Sequence, residues 1–124
     1  MALKARSYAN AHVIPLAGRL DHDNSEAYRV ELLSQIEQHA VGGAAIVLDL
    51  SGLKYVSSAG LRVFMLASRQ AKAQGSRVLV AAAQPMVAEI FLISRFNLIF
   101  SIHPTVRDAL AAVSAEAAEA FDKD

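Results

Sequence analysis

The sequence contains no cysteine. That excludes disulfides, thiolate catalysis and zinc–thiolate sites, and it fits a reducing compartment. It has no excess of either charge: twelve basic and twelve acidic residues give a formal net charge of zero. Nothing electrostatic therefore draws it to nucleic acid or to an anionic membrane. Long apolar runs are absent too, none approaching the roughly 20 residues that span a bilayer. Met1 to Asn10 carries Lys4 and Arg6 without the apolar centre of a signal peptide. Walker A and G-x-G-x-x-G sequences are missing. The four histidines, His12, His22, His39 and His103, show no metal-ligand spacing. Asp21-His22-Asp23-Asn24-Ser25 does not begin a calcium loop, because Glu26 replaces the required glycine and Leu32 the bidentate acid. With no repeat or linker in 124 residues, the expectation is one soluble, cytoplasmic domain without metal or cofactor. Its core should cover about residues 10–115, and the charged tail, Glu116 to Asp124, should fray.

What remains is rich in core-forming residues, 54% hydrophobic and 19% charged, well away from the composition of disordered chains. His12 to Leu16 reads as an edge strand, because Pro15 removes a ladder donor. Asn24-Ser25 are good N-cap residues for a helix through Ala27, Val30, Leu33 and Ile36, which Gly42-Gly43 end. Ala44 to Leu50 is the apolar run of a strand covered on both faces. A second helix is expected from about Ser58 to Ala73, a strand over Arg77 to Ala82, and a third helix opening at Gln84-Pro85. A last strand over Leu98 to Ile102 and a helix from Pro104-Thr105 through Val113 complete the order. Strands and helices alternating through short connections predict an α/β fold, a mostly parallel or mixed sheet of about four to five strands with about four helices packed on it.

The chemistry concentrates at Val56-Ser57-Ser58-Ala59-Gly60-Leu61, where the buried strand hands over to the second helix. One reading is structural: Ser57 or Ser58 caps the helix. The other is a phosphoacceptor hydroxyl, whose phosphate would meet the free amides and positive field of the helix N-terminus. Gly60 would let another chain approach the turn closely. A hydrolase nucleophile elbow fails, because the glycine two residues before the serine is replaced by Val56 or Tyr55, and nothing places His103 and Asp108 as partners.

Two helices carry more apolar residues than one buried face needs. Ile90-Phe91-Leu92-Ile93 runs around the third helix, and Phe64-Met65-Leu66 exceeds a narrow stripe on the second, where Arg62 and Arg69 share a face. Either these helices are buried on several sides or an apolar side is left for a protein partner.

Five motifs stand out along the chain: Gly18-Arg19-Leu20-Asp21, Val47-Leu48-Asp49-Leu50-Ser51-Gly52-Leu53, Val56 to Leu61, Gly75-Ser76-Arg77-Val78-Leu79-Val80 and Pro85-Met86-Val87. In their order and spacing the chain resembles a STAS domain of the anti-sigma factor antagonist type. The resemblance implies a small sheet with helices mainly on one side, and a binding regulator rather than an enzyme. It implies as partners an anti-sigma factor with serine kinase activity, which would phosphorylate Ser58 (Ser57 second), and a PP2C-type phosphatase. Asp21, Asn24, Ser57, Ser58, Gly60, Leu61 and Arg62 would form the partner surface. Ser57 stands where the family pattern has aspartate, Ala59 where it has serine or threonine, and Ser94-Arg95-Phe96 where it has Ser/Thr-Gly-Leu. The family also contains phosphorylation-independent modules in transporters and sensors, which leaves a scaffolding role as the alternative.

Overall fold

The run beginning at Ala44 forms the first half of a strand twice as long as its apolar part. The computed structural model describes residues 3–124. Its strands are β1 (Arg6–Tyr8), β2 (Ala11–Leu20), β3 (Ala45–Val56), β4 (Val78–Ala81) and β5 (Ser101–His103). Its helices are α1 (Ser25–His39), α2 (Ser58–Ala73), α3 (Pro85–Ile93), α4 (Val106–Val113) and α5 (Ala115–Asp122), with a 3₁₀ turn over Phe96–Leu98. None of the described helices is long and apolar enough to cross a membrane.

The sheet order is β1-β2-β3-β4-β5, with β1 antiparallel to β2 and every later pair parallel. Parallel strands laid down in consecutive order need crossovers that all step the same way. Right-handed crossovers then put α1, α2 and α3 on the same face. Tyr28, Leu32 and Ile36 of α1, Phe64 and Ala67 of α2, and Val87 and Phe91 of α3 share one buried core with Ile14, Leu16, Ile46, Leu48 and Val80 of the sheet. The Phe64 and Phe91 rings meet edge-on at 5.5 Å. Gln74, just past α2, donates its side-chain N–H to the carbonyl of Ala40 at 2.9 Å, tying the end of α1 to α2.

The opposite face is apolar as well: Ala11, Val13, Val47, Leu79 and Ala81 pack there against Ala109 and Leu110 of α4 and Ala117 of α5. The segment expected to fray is therefore α5. Its Phe121 ring meets Tyr8 edge-on at 5.4 Å, and the Tyr8 hydroxyl donates to the Asp124 carboxylate at 2.5 Å. A sheet covered on both faces needs this second layer, and α5 adds to it a helix beyond the four or so expected.

Other boundaries also move. β2 is not an edge strand, because β1 pairs with Ala11, His12 and Val13. Pro15 lies beyond the last of those pairs, where a missing amide costs no ladder bond on that flank. The buried stripe of α1 is Tyr28, Leu32 and Ile36, while Val30 is exposed. Phe96 and Phe100 turn inward around the 3₁₀ turn, which delays β5 to Ser101.

β4 pairs with β3 only as far as Asp49. Past that point β3 runs on beside β2 alone, to Leu20↔Val56, with two register shifts in which β3 carries the extra residue. Gly18, at φ +76°, sits at the second shift, in backbone space that side-chain-bearing residues avoid. Such bulges bend a strand and re-aim its end. Here they carry the β2–α1 loop and the start of α2 to the same end of the sheet.

Candidate functional site

Ser57 follows the last residue of β3, keeps its extended conformation and begins α2 as its N-cap. Its amide donates to the Leu20 carbonyl at 2.9 Å, and its carbonyl accepts from Leu61 at 2.8 Å. Its hydroxyl accepts the Gly60 N–H at 3.2 Å. Ser58 follows as the first helical residue; its side chain is exposed and has no hydrogen-bond partner among the described residues. The two serines thus divide the work: one is occupied holding the helix start, the other points free. The first-turn amides of Ser58 and Ala59 have no intrahelical acceptor, and the first turn of α2 carries no acidic residue. Arg62 is exposed one turn on, a spacing at which two side chains share a helix face. Arg62 can therefore add its charge to the helix field that favours an anion at Ser58.

Gly60 departs from expectation. It is buried, not part of the exposed surface. A Cβ built there would lie 2.7 Å from the Leu20 carbonyl oxygen and 2.8 Å from Leu20 Cγ. The close approach it permits is internal, α2 against the end of β2, and not a partner chain against the turn. Leu61 is half-buried against the main core, so only part of it faces outward.

The β2–α1 loop forms the neighbouring wall. The Asp21 carboxylate accepts the amides of Asp23 at 3.0 Å and Asn24 at 3.4 Å. The Asn24 side chain accepts the Asp21 N–H at 2.9 Å and donates to the Arg19 carbonyl at 2.7 Å. Asn24 holds the N-cap position of α1 without capping it through its side chain; it braces the loop instead. Since Leu20 is bonded to Ser57 and packed over Gly60, this loop and the serine turn are held as one unit. Asp21, Asn24, Ser57, Ser58, Leu61 and Arg62 lie at this end, with Gly60 beneath them.

One pair there was missed from sequence. The Arg19 guanidinium lies 4.4 Å from the centre of the Tyr55 ring, and its Nε is 3.6 Å from an Asp21 carboxylate oxygen. Period-two alternation back from Ser57 puts Tyr55 on the same strand face, but only the bulged register Arg19↔Tyr55 brings the arginine over it. Among the described residues there is no pocket and no group of three or more His, Asp or Glu that could hold a metal.

The profile of the STAS domain matches residues 2–109. BtrV of Bordetella bronchiseptica, named as a candidate anti-sigma factor antagonist, is 37% identical over 97 residues, which cover 78% of this chain and 80% of that protein. The structure of the anti-sigma factor antagonist SpoIIAA in its unphosphorylated form superposes with a TM-score of 0.70 at 25% identity, over 90% of this chain and 96% of that one. SpoIIAA of Bacillus in its phosphorylated form gives 0.62 at 23% identity, over 90% and 99%. With a match over most of its length, and with the mixed sheet and serine turn described above, the chain belongs to the STAS domain family, in its anti-sigma factor antagonist branch.

Proposed function

We propose that this chain is a phosphorylation-switched binding regulator. In the bare state it binds an anti-sigma factor that is also a serine kinase, and so releases a sigma factor in the cytoplasm. Phosphate transfer to Ser58 ends that binding, and a PP2C-type phosphatase resets the surface. The observation that carries this reading is the division between the serines: Ser57 accepts the Gly60 N–H while Ser58 is exposed at the helix start. A phosphate on Ser58 would add about −1.5 to −2 charges. Pressed dry against a partner built for a hydroxyl, that charge would cost several kcal/mol unless paired. The Asp21–Asn24 loop and Arg62 would complete the contact surface.

The test is incubation with the cognate kinase and ATP, then fragment mass spectrometry. The expected result is phosphate on Ser58, none on Ser58→Ala, and weak partner binding by Ser58→Asp. Tight binding by Ser58→Asp would favour the second reading, a phosphorylation-independent scaffolding module. The observation on its side is the apolar surface left open on α3, where Leu92 and Ile93 are exposed.

A further inference from the structure

The surplus of apolar residues on α3 is not absorbed by the core. Val87 and Phe91 turn inward, while Met86 and Ile93 lie on the opposite stripe with Leu92 beside them. The surface continues along the chain. α3 packs against the 3₁₀ turn and that turn against β5, adding Leu98 at 76% exposure, Ile99 at 56% and Ile102 at 37%. Together the six residues leave on the order of 600 Å² of apolar surface in water, at the upper end for the largest patch of a monomer. β5 is also a sheet edge, with no strand beyond it among the described residues.

We infer that this α3–β5 surface is the interface between two copies of the chain, paired about a two-fold axis. Area supports that occupant: a standard interface takes about 800 Å² from each partner, most of which this patch supplies. Charge supports it as well. The segment that carries the patch, residues 85–103, holds one exposed acid, Glu89, and one exposed base, Arg95. A two-fold interface brings residue i of one copy to residue j of the other, and j to i. The patch is therefore electrically complementary to itself, with Glu89 of each copy available to Arg95 of the other. The whole chain has zero net charge, so two copies meet without long-range repulsion. A membrane is the poorer occupant, because surface-bound helices need a basic polar face and α3 has none. The surface shares no residue with the serine turn, which stands on β2 and β3, so a dimer leaves that turn free.

The test is sedimentation equilibrium of the full chain over a wide concentration range, with circular dichroism to confirm folding. Wild type is expected to show a concentration-dependent monomer–dimer equilibrium. Ile93→Asp and, separately, Leu98→Asp should weaken it at least about tenfold. Glu89→Arg should weaken it too, and the double variant Glu89→Arg with Arg95→Glu should recover a substantial part. Ser58→Asp should dimerise as wild type does, so failure here and failure of the switch are read separately. A monomer at every concentration would overturn the inference, as would a dimer indifferent to these folded variants. Vesicle binding lost in Ile93→Asp without dimerisation would assign the patch to a membrane instead.

Discussion

The Ser57 hydroxyl oxygen lies 3.2 Å from the Gly60 amide nitrogen and accepts a hydrogen bond from its N–H. Aspartate, which the family pattern has at this position, is an equally good N-cap. The change to serine keeps the cap and removes a charge beside Ser58. Ser57→Ala should destabilise the chain by about 1 kcal/mol in urea unfolding while leaving phosphate transfer to Ser58 measurable. Ser57→Asp should restore stability. Loss of transfer in Ser57→Ala at a temperature where it remains folded would mean that Ser57 is itself the acceptor.

Gly60→Ala sets two effects against each other. Alanine gains up to about 1 kcal/mol of helix propensity over glycine. Its methyl would also collide with Leu20 backbone and side chain at 2.7 and 2.8 Å, and overpacking of that kind costs about 1–3 kcal/mol. The collision should win, and because Leu20 anchors the β2–α1 loop, partner affinity should fall along with the melting temperature. A Gly60→Ala variant more stable than wild type would show that the packing there yields easily.

Arg95 follows α3 in left-handed backbone, φ 60° and ψ 26°, where the family pattern has glycine. Side-chain-bearing residues in that region cost about 1–2 kcal/mol. Arg95→Gly should therefore raise stability by about 1 kcal/mol in the same unfolding assay, while weakening self-association if Arg95 pairs across the dimer.

The His12 and His39 rings lie tilted to each other by 39° with centres 4.8 Å apart, and the Ser7 hydroxyl lies 2.9 Å from His12 Nδ1. Burial, and then the neighbouring His39, hold the His12 imidazole below its usual 6.5. As pH falls below that value the unfolded chain takes up the proton before the folded one does. Stability should therefore be complete above about pH 6.5 and decline as pH drops through the folded pKa. His12→Asn should flatten the profile below about pH 6.5, and His39→Gln should flatten it in part. A wild-type profile level across that range would show that His12 titrates alike in both states.

Phe121→Ala should cost about 2 kcal/mol, less than a fully buried phenylalanine, because Phe121 is half-buried against Tyr8. Removing the nearby bidentate pair of Arg107 and Asp122, at 2.8 Å, should cost much less than that, since exposed ion pairs are screened. The reverse order of effects would mean that charge, not packing, holds α5.

Local signals explain what the sequence made legible. Ser58 to Ala73 is bounded by a serine cap and by Gly75, and α2 has those bounds. A mostly parallel or mixed sheet followed from alternation and short connections. What escaped depends on distant partners. The buried residues of α5, Ala117 and Ala118, give no apolar pattern of their own and acquire meaning only because a sheet face waits for cover. Tyr28 outranks Val30 because its hydroxyl donates to the Ala17 carbonyl at 2.6 Å, a bond no helical periodicity reveals. Arg19 over Tyr55 needs a bulged register that the strand residues do not announce.

The consecutive strand order also has a consequence during synthesis. All five strands leave the ribosome before α4 and α5, so the sheet face of Val13, Val47 and Leu79 has no helix to cover it. For that interval the nascent domain presents a half-finished, sticky surface, of the kind chaperones hold or neighbouring chains capture. Substitutions in residues 106–122 should therefore lower the yield of soluble chain in the cell more than their cost to equilibrium stability alone accounts for.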